Sequence, residues 1–182
     1  MEDNDRLLLR NGRGWRGKSF VDADIAVAGG KITQVAPSLP EDGARVIDCS
    51  GLSLFPSFVD MHVHFREPGY SYKETISLGS RAAAAGGFTT VCTMPNLNPV
   101  PDSRETLQTQ LDIIDRDAAI RVWPYASITR KRMGEELVDY EALAPYVAGF
   151  SDDGSGVQSE DVMRRAMAGI APTGKILAAH CE

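Results

Sequence analysis

The sequence has few of the features that mark secreted, membrane-spanning or nucleic-acid-binding proteins. It contains three cysteines, which are odd in number and lie far apart in the sequence. It has 19 basic and 25 acidic residues. This cysteine usage favours reduced thiols in the cytoplasm over a disulfide framework. The net charge of −6 argues against a nucleic-acid partner. No stretch approaches the about 20 apolar residues of a membrane span, and the acidic N-terminus does not resemble a secretory signal.

One stretch, residues 55–65, predicts a β-strand whose two faces differ in chemistry. Polar and apolar positions alternate, with Asp60, His62, His64 and Arg66 on one face and Val59, Met61, Val63 and Phe65 on the other. Successive side chains of a strand point to opposite faces. Such a strand suits a barrel wall, with its apolar face beneath an outer helix and its polar face in the lumen.

The histidines are few, and their positions favour a metal site. His62 and His64 lie about 6.5 to 7 Å apart along one strand face, so both imidazoles can reach one ion. A single His-x-His is more often structural than metal-binding. The third histidine of the chain, His180, however, lies near the end of another strand-like run, KILAAHCE. Three structural histidines would rarely occupy such positions.

The chain changes character near residue 55. The pattern over residues 1–54 predicts short strands, with a hairpin at Gly29-Gly30. We expect these strands to form a small sheet whose hydrophobic core is completed by further residues of the polypeptide. After residue 55, strand and helix patterns alternate. The predicted strands are 55–65, 88–96, 120–128, 148–154 and 175–182.

Four helix patterns separate these strands. The first has Ser71 and Glu74 in capping-box spacing and stops at Gly86-Gly87. The second begins near Asp102 and Ser103, and the third is a weak pattern over 137–144. The fourth is capped by Ser159. The predicted buried stripes are Leu107, Leu111 and Ile114 in the second helix, and Val162, Met163, Ala166, Met167 and Ile170 in the fourth.

This order predicts an α/β fold with a parallel sheet and covering helices. A closed eight-stranded barrel of the TIM type takes about 250 residues. The chain after residue 55 holds about four βα units and a fifth strand, so we expect a partial (β/α)8 barrel over 55–182 in a truncated chain.

The other chemically loaded residues follow strand ends, where such barrels hold their active sites. They are Asn96, Asp152 and Asp153. Imidazole and carboxylate ligands suit Zn²⁺, and a carboxylate can bridge two ions. Simpler roles remain open: a solvated Asp-Gly turn for residues 152–154, a loop cap for Asn96 and a buried small side chain for Cys92. Arg66 shares a face with two histidines, which favours a substrate carboxylate as its partner over a surface role.

Four motifs occur in an order that resembles the N-terminal half of the dihydroorotases, a family of the cyclic amidohydrolase superfamily. They are HVHFREPG, GGFTTVCTMPN, SDDG and AHCE. The resemblance implies metal ligation by His62, His64, Asp153 and His180, with Asp153 rather than Asp152 bridging two zinc ions per full-length subunit. No lysine occupies a comparable strand end, so the resemblance is to the aspartate-bridged type. It further implies that His64, Arg66 and Asn96 bind the substrate.

The resemblance also implies a reaction and partners. The family interconverts N-carbamoyl-L-aspartate and dihydroorotate in pyrimidine biosynthesis. Its acid/base aspartate and a further histidine ligand would lie beyond residue 182, so no catalytic residue is expected in this chain. Residues 1–54 resemble the N-terminal part of the family's small β-sandwich domain. A homodimer, and aspartate transcarbamoylase as a further partner, are expected.

Two alternatives remain. Hydantoinases and allantoinases share the His-x-His and the barrel but act on rings that lack the dihydroorotate carboxylate, so Arg66 favours dihydroorotase. Catalytically inactive dihydroorotase-like proteins act as structural partners of aspartate transcarbamoylase. Those proteins lose metal ligands, whereas this sequence keeps every ligand expected in its half of the site.

Overall fold

The computed structural model describes residues 6–181. Residues 1–5 and 182, which fall in the predicted first domain and the predicted fifth strand, lie outside the described residues. The chain divides into two compact units, Met1–Pro56 and Ser57–Glu182. Within the described part, no helix is both long enough and apolar enough to cross a membrane.

The first unit is built on one five-stranded sheet. Its strands are β1 (Arg6–Trp15), β2 (Phe20–Ala28), β3 (Lys31–Ala36), β4 (Arg45–Asp48) and β5 (Ser53–Leu54). The order is β3-β2-β1-β4, and β5 also pairs with β1. The first three strands are antiparallel neighbours, whereas β4 and β5 run parallel to β1. The second layer of the expected β-sandwich stays a prediction.

Local chemistry explains two features of this sheet. Gly29 and Gly30 have φ angles of 57° and 71°, and this left-handed pair closes the predicted β2–β3 hairpin. That prediction is confirmed. The buried carboxylate of Asp24 accepts the backbone N–H groups of Asn11 at 2.8 Å and Leu39 at 2.9 Å. These bonds tie the loop after β3 to the sheet.

The second unit alternates strands and helices, as predicted. Its strands are β6 (Phe58–Val63), β7 (Phe88–Thr93), β8 (Arg121–Ala126), β9 (Gly149–Phe150) and β10 (Ile176–Leu177). Its α-helices are α1 (Ile76–Ala85), α2 (Arg104–Asp117), α3 (Tyr140–Leu143) and α4 (Glu160–Ile170). Short 3₁₀ turns cover Arg130–Arg132, Ala144–Tyr146 and Ala171–Thr173. The last two strands are much shorter than predicted, so His180 lies beyond β10.

The five strands of this unit form one parallel sheet in chain order, β6 to β10. A doubly wound sheet would reverse its order at a switch point, whereas a barrel wall adds each strand beside the last. The sheet is a curled half-barrel, and the predicted α/β fold with a partial (β/α)8 barrel is confirmed. Because all five strands point the same way, their carboxyl ends meet at one edge.

Two apolar clusters join strand and helix residues. The first centres on Leu107, Phe150, Ala166 and Ile170, and the second on Phe65, Ile76, Val91 and Ile114. The predicted stripe of α2 is confirmed, since Leu107 and Ile114 are buried and Leu111 packs against both clusters. The stripe of α4 is wrong at Met167, which is exposed.

Helix α1 does not begin with the predicted capping box of Ser71 and Glu74. Its N-cap is Thr75, whose side chain accepts a backbone N–H of the first turn. The carboxylate of Glu67, from the loop after β6, accepts the N–H of Ile76 at 3.0 Å. A carboxylate is favoured at this end of a helix because the helix dipole is positive there.

The apolar face of β6 is covered only in part. Val63 and Phe65 pack in the second cluster, where Phe65 lies so close to Gly79 of α1 that a Cβ would not fit. Val59 and Met61, which were also predicted to lie beneath a helix, are exposed. Helix α1 packs mainly against β7 and α2, so it does not cover the beginning of β6.

Truncation of Leu107 to alanine tests the first cluster. The side chain is 0% exposed, so Leu107→Ala should lower the free energy of unfolding by about 2–5 kcal/mol. Leu78→Ala is the matched control, because Leu78 is 64% exposed and its loss should change stability by less than about 0.5 kcal/mol. Chemical denaturation measures both. Equal losses would contradict the assigned core.

Candidate metal centre

The chemically loaded side chains come together at the carboxyl edge of the parallel sheet. His62 belongs to β6 and His64 follows it, whereas Asn96, Asp153 and His180 follow β7, β9 and β10. Successive side chains of a strand alternate between its two faces, so His62 and His64, two residues apart, point to the same face of β6 and its extension. The structure therefore brings together residues from the ends of four strands. The two that are farthest apart in the sequence, His62 and His180, are separated by 118 positions.

Asp153 lies at the centre of the group. It is 2% exposed. Its Oδ1 is 2.8 Å from His180 Nδ1 and 3.5 Å from His62 Nε2, and its Oδ2 is 3.6 Å from His64 Nε2. One buried carboxylate thus contacts all three histidines of the chain.

The donor atoms fit a metal ion. His62 Nε2 and His64 Nε2 are 3.3 Å apart, and one donor atom from each of His62, His64 and Asp153 lies within 4.8 Å of the others. Ligands held at about 2.0–2.1 Å by a tetrahedral zinc ion are about 3.3–3.4 Å from one another. Asp153 Oδ1 is buried, and within the described part of the chain no hydrogen bond of good geometry reaches it, despite the short approach of His180. Such an oxygen suits a cation.

Asn96 connects two members of the group. Its Oδ1 lies 3.1 Å from His64 Nδ1, and its Nδ2 donates to Asp153 Oδ2 at 2.9 Å. An amide oxygen only accepts, so His64 Nδ1 carries the proton and Nε2 presents its lone pair. Ligating histidines are commonly oriented in this way. Sequence reasoning assigned Asn96 to substrate and missed this link.

The environment of His64 favours its neutral form. Burial lowers the pKa of His64, and the positive charge of Arg66 lowers it further, although the Asn96 hydrogen bond and the Asp153 charge act in the opposite direction. Neutral imidazole is the form that binds metals.

Asp152 and Asp153 have different environments although they are adjacent. Asp152 accepts the backbone N–H groups of Ile128 at 2.8 Å and Thr129 at 3.1 Å, together with the Thr129 hydroxyl. Burial raises the pKa of Asp152, and these hydrogen bonds oppose the shift. A turn is present, since Ser155 N–H donates to the Asp152 carbonyl at 3.0 Å. The idea of a solvated turn is nevertheless wrong, because both carboxylates are buried.

Cys92 lies outside the group of donor atoms. It is buried against Met94 and Tyr125, and burial raises the pKa of its thiol. The simpler role, a small buried side chain, is the one observed. All three cysteines are free.

A cationic cavity of about 340 Å³ adjoins the metal centre, and we name it the anion pocket. It is lined by Arg66, Tyr70, Lys73, Asn96, Arg132, Gly154 and Ser155. Only Arg66 and Asn96 were predicted here. Tyr70 and Lys73 lie in a loop and Arg132 lies in a short 3₁₀ turn. Neither segment has a periodic sequence, so no sequence pattern pointed to these residues.

Close packing of two loops shapes this region. Asn98 N–H donates to the Pro68 carbonyl at 3.3 Å. Gly69 has a φ of 95° and lies against the backbone of Asn98, where a Cβ would clash. Glycine is therefore required at this position for both its conformation and its size. The contact fixes the loop that carries Arg66 beside the loop that carries Asn96.

Comparisons with known proteins agree on one family. A sequence model described as dihydro-orotase-like matches residues 51–182. A dihydroorotase of Staphylococcus aureus (strain Mu50) is 49% identical over 177 residues, and one of Fusobacterium nucleatum is 48% identical over 176 residues. These alignments cover 96% and 97% of this chain but only 42% and 41% of the relatives. The chain thus spans about two fifths of the length of these relatives.

Solved structures give the same fold. L-hydantoinase from Arthrobacter aurescens matches 97% of this chain and 40% of its own chain, with a TM-score of 0.83 and 20% identity. A D-hydantoinase from Thermus sp. also matches 97% of this chain and 40% of its own chain, with a TM-score of 0.74 and 28% identity. At 20% identity the first likeness concerns the fold alone.

The two adjacent aspartates generate a paired prediction. The Asp152 carboxylate accepts two backbone N–H groups, and Asp152→Asn replaces one of its oxygens by an NH₂ group, which donates. The substitution should therefore lower the free energy of unfolding by about 1–3 kcal/mol. No backbone N–H of residues 6–181 donates to the Asp153 carboxylate, and neutralising a buried charge removes its desolvation penalty. Asp153→Asn should therefore leave the metal-free protein equally stable or more stable. Denaturation in the presence of a chelator measures both, and the opposite ranking would refute the assignment.

Proposed function

The chain belongs to the dihydro-orotase-like family, and on this premise we propose that it forms part of a zinc-dependent enzyme that interconverts N-carbamoyl-L-aspartate and (S)-dihydroorotate. The observation that carries the proposal is the buried Asp153 carboxylate, which contacts three imidazoles beside a cationic cavity. A cluster of metal ligands next to an anion-binding group suits a ring that bears both an amide carbonyl and a carboxylate.

In the proposed site, His62, His64 and Asp153 would hold one zinc ion, and His180 together with Asp153 would hold a second. The pairing of His62 with His64 is supported by their Nε2 atoms, which are 3.3 Å apart and form a group of donor atoms with Asp153. His180 lies outside that group but contacts Asp153 Oδ1 at 2.8 Å. Zinc at such a site supplies Lewis acidity, which polarises a carbonyl oxygen and lowers the pKa of a water molecule towards about 7.

The residues of this chain hold and orient the reacting groups. Asn96 keeps the proton of His64 on Nδ1 and fixes one oxygen of Asp153. Arg66 binds the ring carboxylate, because a guanidinium matches a carboxylate with two parallel hydrogen bonds. Asn96 Nδ2 has a second N–H that is available to the same carboxylate. His64 contacts Asn96, and its contact with the substrate is part of the proposal.

We propose that the acid/base group lies outside this sequence, in a longer polypeptide that completes the barrel. The incomplete coverage of the relatives supports this, since 58% of the Staphylococcus aureus dihydroorotase extends beyond the match. Residues 1–54 would then contribute to a small β-sandwich domain. A homodimer, an association with aspartate transcarbamoylase and a cytoplasmic location stay predictions.

The second candidate is a hydantoinase-like activity, which the likeness to the D-hydantoinase from Thermus sp. at 28% identity favours. A hydantoin or dihydropyrimidine ring without a carboxylate would not form an ion pair with any of the three cationic side chains of the anion pocket. A metal-free scaffold is a third candidate, and the intact set of His62, His64, Asp153 and His180 weighs against it.

Metal content and turnover test the proposed enzyme. A full-length enzyme containing this chain should hydrolyse dihydroorotate and hold about two zinc ions per subunit, measured by plasma mass spectrometry. His62→Ala should lose zinc and activity together. The isolated 182-residue chain should show no turnover, because it lacks the acid/base group. A full-length protein without zinc would support the scaffold, and turnover by the isolated chain would contradict a divided site.

Replacement of Arg66 by methionine tests the substrate. In the full-length enzyme, Arg66→Met should raise the KM for dihydroorotate by about tenfold or more, because it removes a charged hydrogen-bond partner of the carboxylate. Arg121→Met is the control, since Arg121 is exposed on β8. Steady-state kinetics measure both. An unchanged KM would favour the hydantoinase-like candidate.

A further inference from the structure

Arg132 is a cationic side chain of the anion pocket to which the sequence motifs assign no role. It ends the 3₁₀ turn Arg130–Arg132 after β8. It lines the same cavity as Arg66, Lys73 and Asn96. Its neighbour Arg130 instead pairs with the exposed carboxylate of Glu136 at 3.2 Å.

One end of the Arg132 guanidinium is fixed by the protein. Its Nη1 donates to the backbone carbonyl of Asp153, and it also lies 3.3 Å from the Ser155 hydroxyl oxygen. The guanidinium is thereby fastened to the loop that carries the central carboxylate of the metal centre. A side chain held in this way loses less conformational freedom when it binds a ligand.

The other end of the guanidinium has unused hydrogen-bonding capacity. Arg132 Nε is buried, and among the described residues it has no hydrogen-bond partner. A buried N–H without an acceptor is unfavourable, so a ligand oxygen at this position would stabilise it. The edge that carries Nε is also one of those through which guanidinium groups bind carboxylates with two hydrogen bonds.

The backbone of the turn presents Arg132 in an unusual conformation. Lys131 and Arg132 have φ angles of 51° and 57°, which non-glycine residues rarely adopt. Two hydrogen bonds hold the turn: Lys131 N–H donates to Asp102 Oδ2 at 2.9 Å, and Arg132 N–H donates to the Thr129 carbonyl at 3.0 Å. The position of Arg132 is thus specified by the fold.

The lining of the pocket has one sign of charge. Among the described residues it comprises three cationic side chains and no carboxylate side chain. Gly154 leaves the space between two of the donors open, since a Cβ there would lie 3.6 Å from Asn96 Nδ2 and 3.8 Å from Arg132 Nη1. Both donors therefore lie near one point of the cavity wall.

We propose that Arg132 is a second guanidinium for the substrate carboxylate, binding through its Nε edge alongside Arg66. In taking the carboxylate of a dihydropyrimidine ring as the ligand, the proposal rests on the proposed function. It makes Arg132 a specificity-determining residue, because a ring without a carboxylate gains nothing from this donor. The competing role is purely structural, in which Arg132 only holds the loop of Asp153.

Binding of orotate separates the two roles without any need for turnover. Orotate is a planar ring that carries the same carboxylate. Titration calorimetry would measure its dissociation constant for the full-length, zinc-loaded protein and for Arg132→Gln, Arg132→Lys and the control Arg130→Gln. Zinc content and thermal stability would be measured on every variant.

We expect Arg132→Gln to weaken orotate binding by about tenfold or more, which is about 1.4 kcal/mol or more, with zinc content unchanged. Arg132→Lys should lose less, because lysine keeps the charge but not the two-pronged geometry. Arg130→Gln should bind as the unmodified protein does. If Arg132→Gln does not fold, the same comparison is made with Arg132→Lys, for which we expect a loss of about threefold or more.

Three outcomes would overturn the proposal: an unmodified protein that does not bind orotate, affinities within about twofold of the unmodified protein for both Arg132 variants, or a loss of zinc that accompanies the loss of affinity. The last outcome would mean that Arg132 only supports Asp153. A protein that binds orotate through Arg132 but does not hydrolyse dihydroorotate would refute the proposed function and leave this proposal standing.

Discussion

Burial of a charged carboxylate carries a large unfavourable desolvation free energy. The second unit of this chain nevertheless buries the carboxylate of Asp153 among three imidazoles. The desolvation penalty of a charge is offset only when hydrogen bonds and opposite charges surround it. Among residues 6–181, the side chain of Asn96 donates a hydrogen bond to this carboxylate at 2.9 Å. A cation between Asp153 and the histidines would supply the remainder. The parallel sheet makes the arrangement possible, because four strands deliver their ends to one edge.

Asn96 joins the two halves of the proposed chemistry. It contacts His64 and Asp153 in the metal centre, and it also lines the anion pocket with Arg66 and Arg132. A ring that places its carboxylate in the pocket would bring its amide carbonyl towards the proposed ions. Arg132 adds a second link, since it is bonded to the Asp153 backbone. Substrate binding and metal binding would thus share one set of loops.

The sequence predicted what depends on periodicity and local chemistry. Alternation placed His62 and His64 on one face, and serines marked the starts of α2 and α4. Patterns could not distinguish Asp152 from Asp153, because both follow a two-residue strand in irregular chain, where side-chain direction has no period. Only resemblance to the family favoured Asp153. Arg132 was missed for the same reason: its position depends on tertiary contacts of a turn that reads as ordinary polar loop.

The most direct test of a bridged metal centre is an anomalous diffraction map of the full-length protein at the zinc absorption edge. We predict two peaks that flank Asp153, one at about 2.0–2.1 Å from the bonded nitrogens of His62 and His64 and one at a similar distance from His180. A zinc-loaded crystal without a peak beside Asp153, and with the three imidazoles still in contact with its carboxylate, would contradict it.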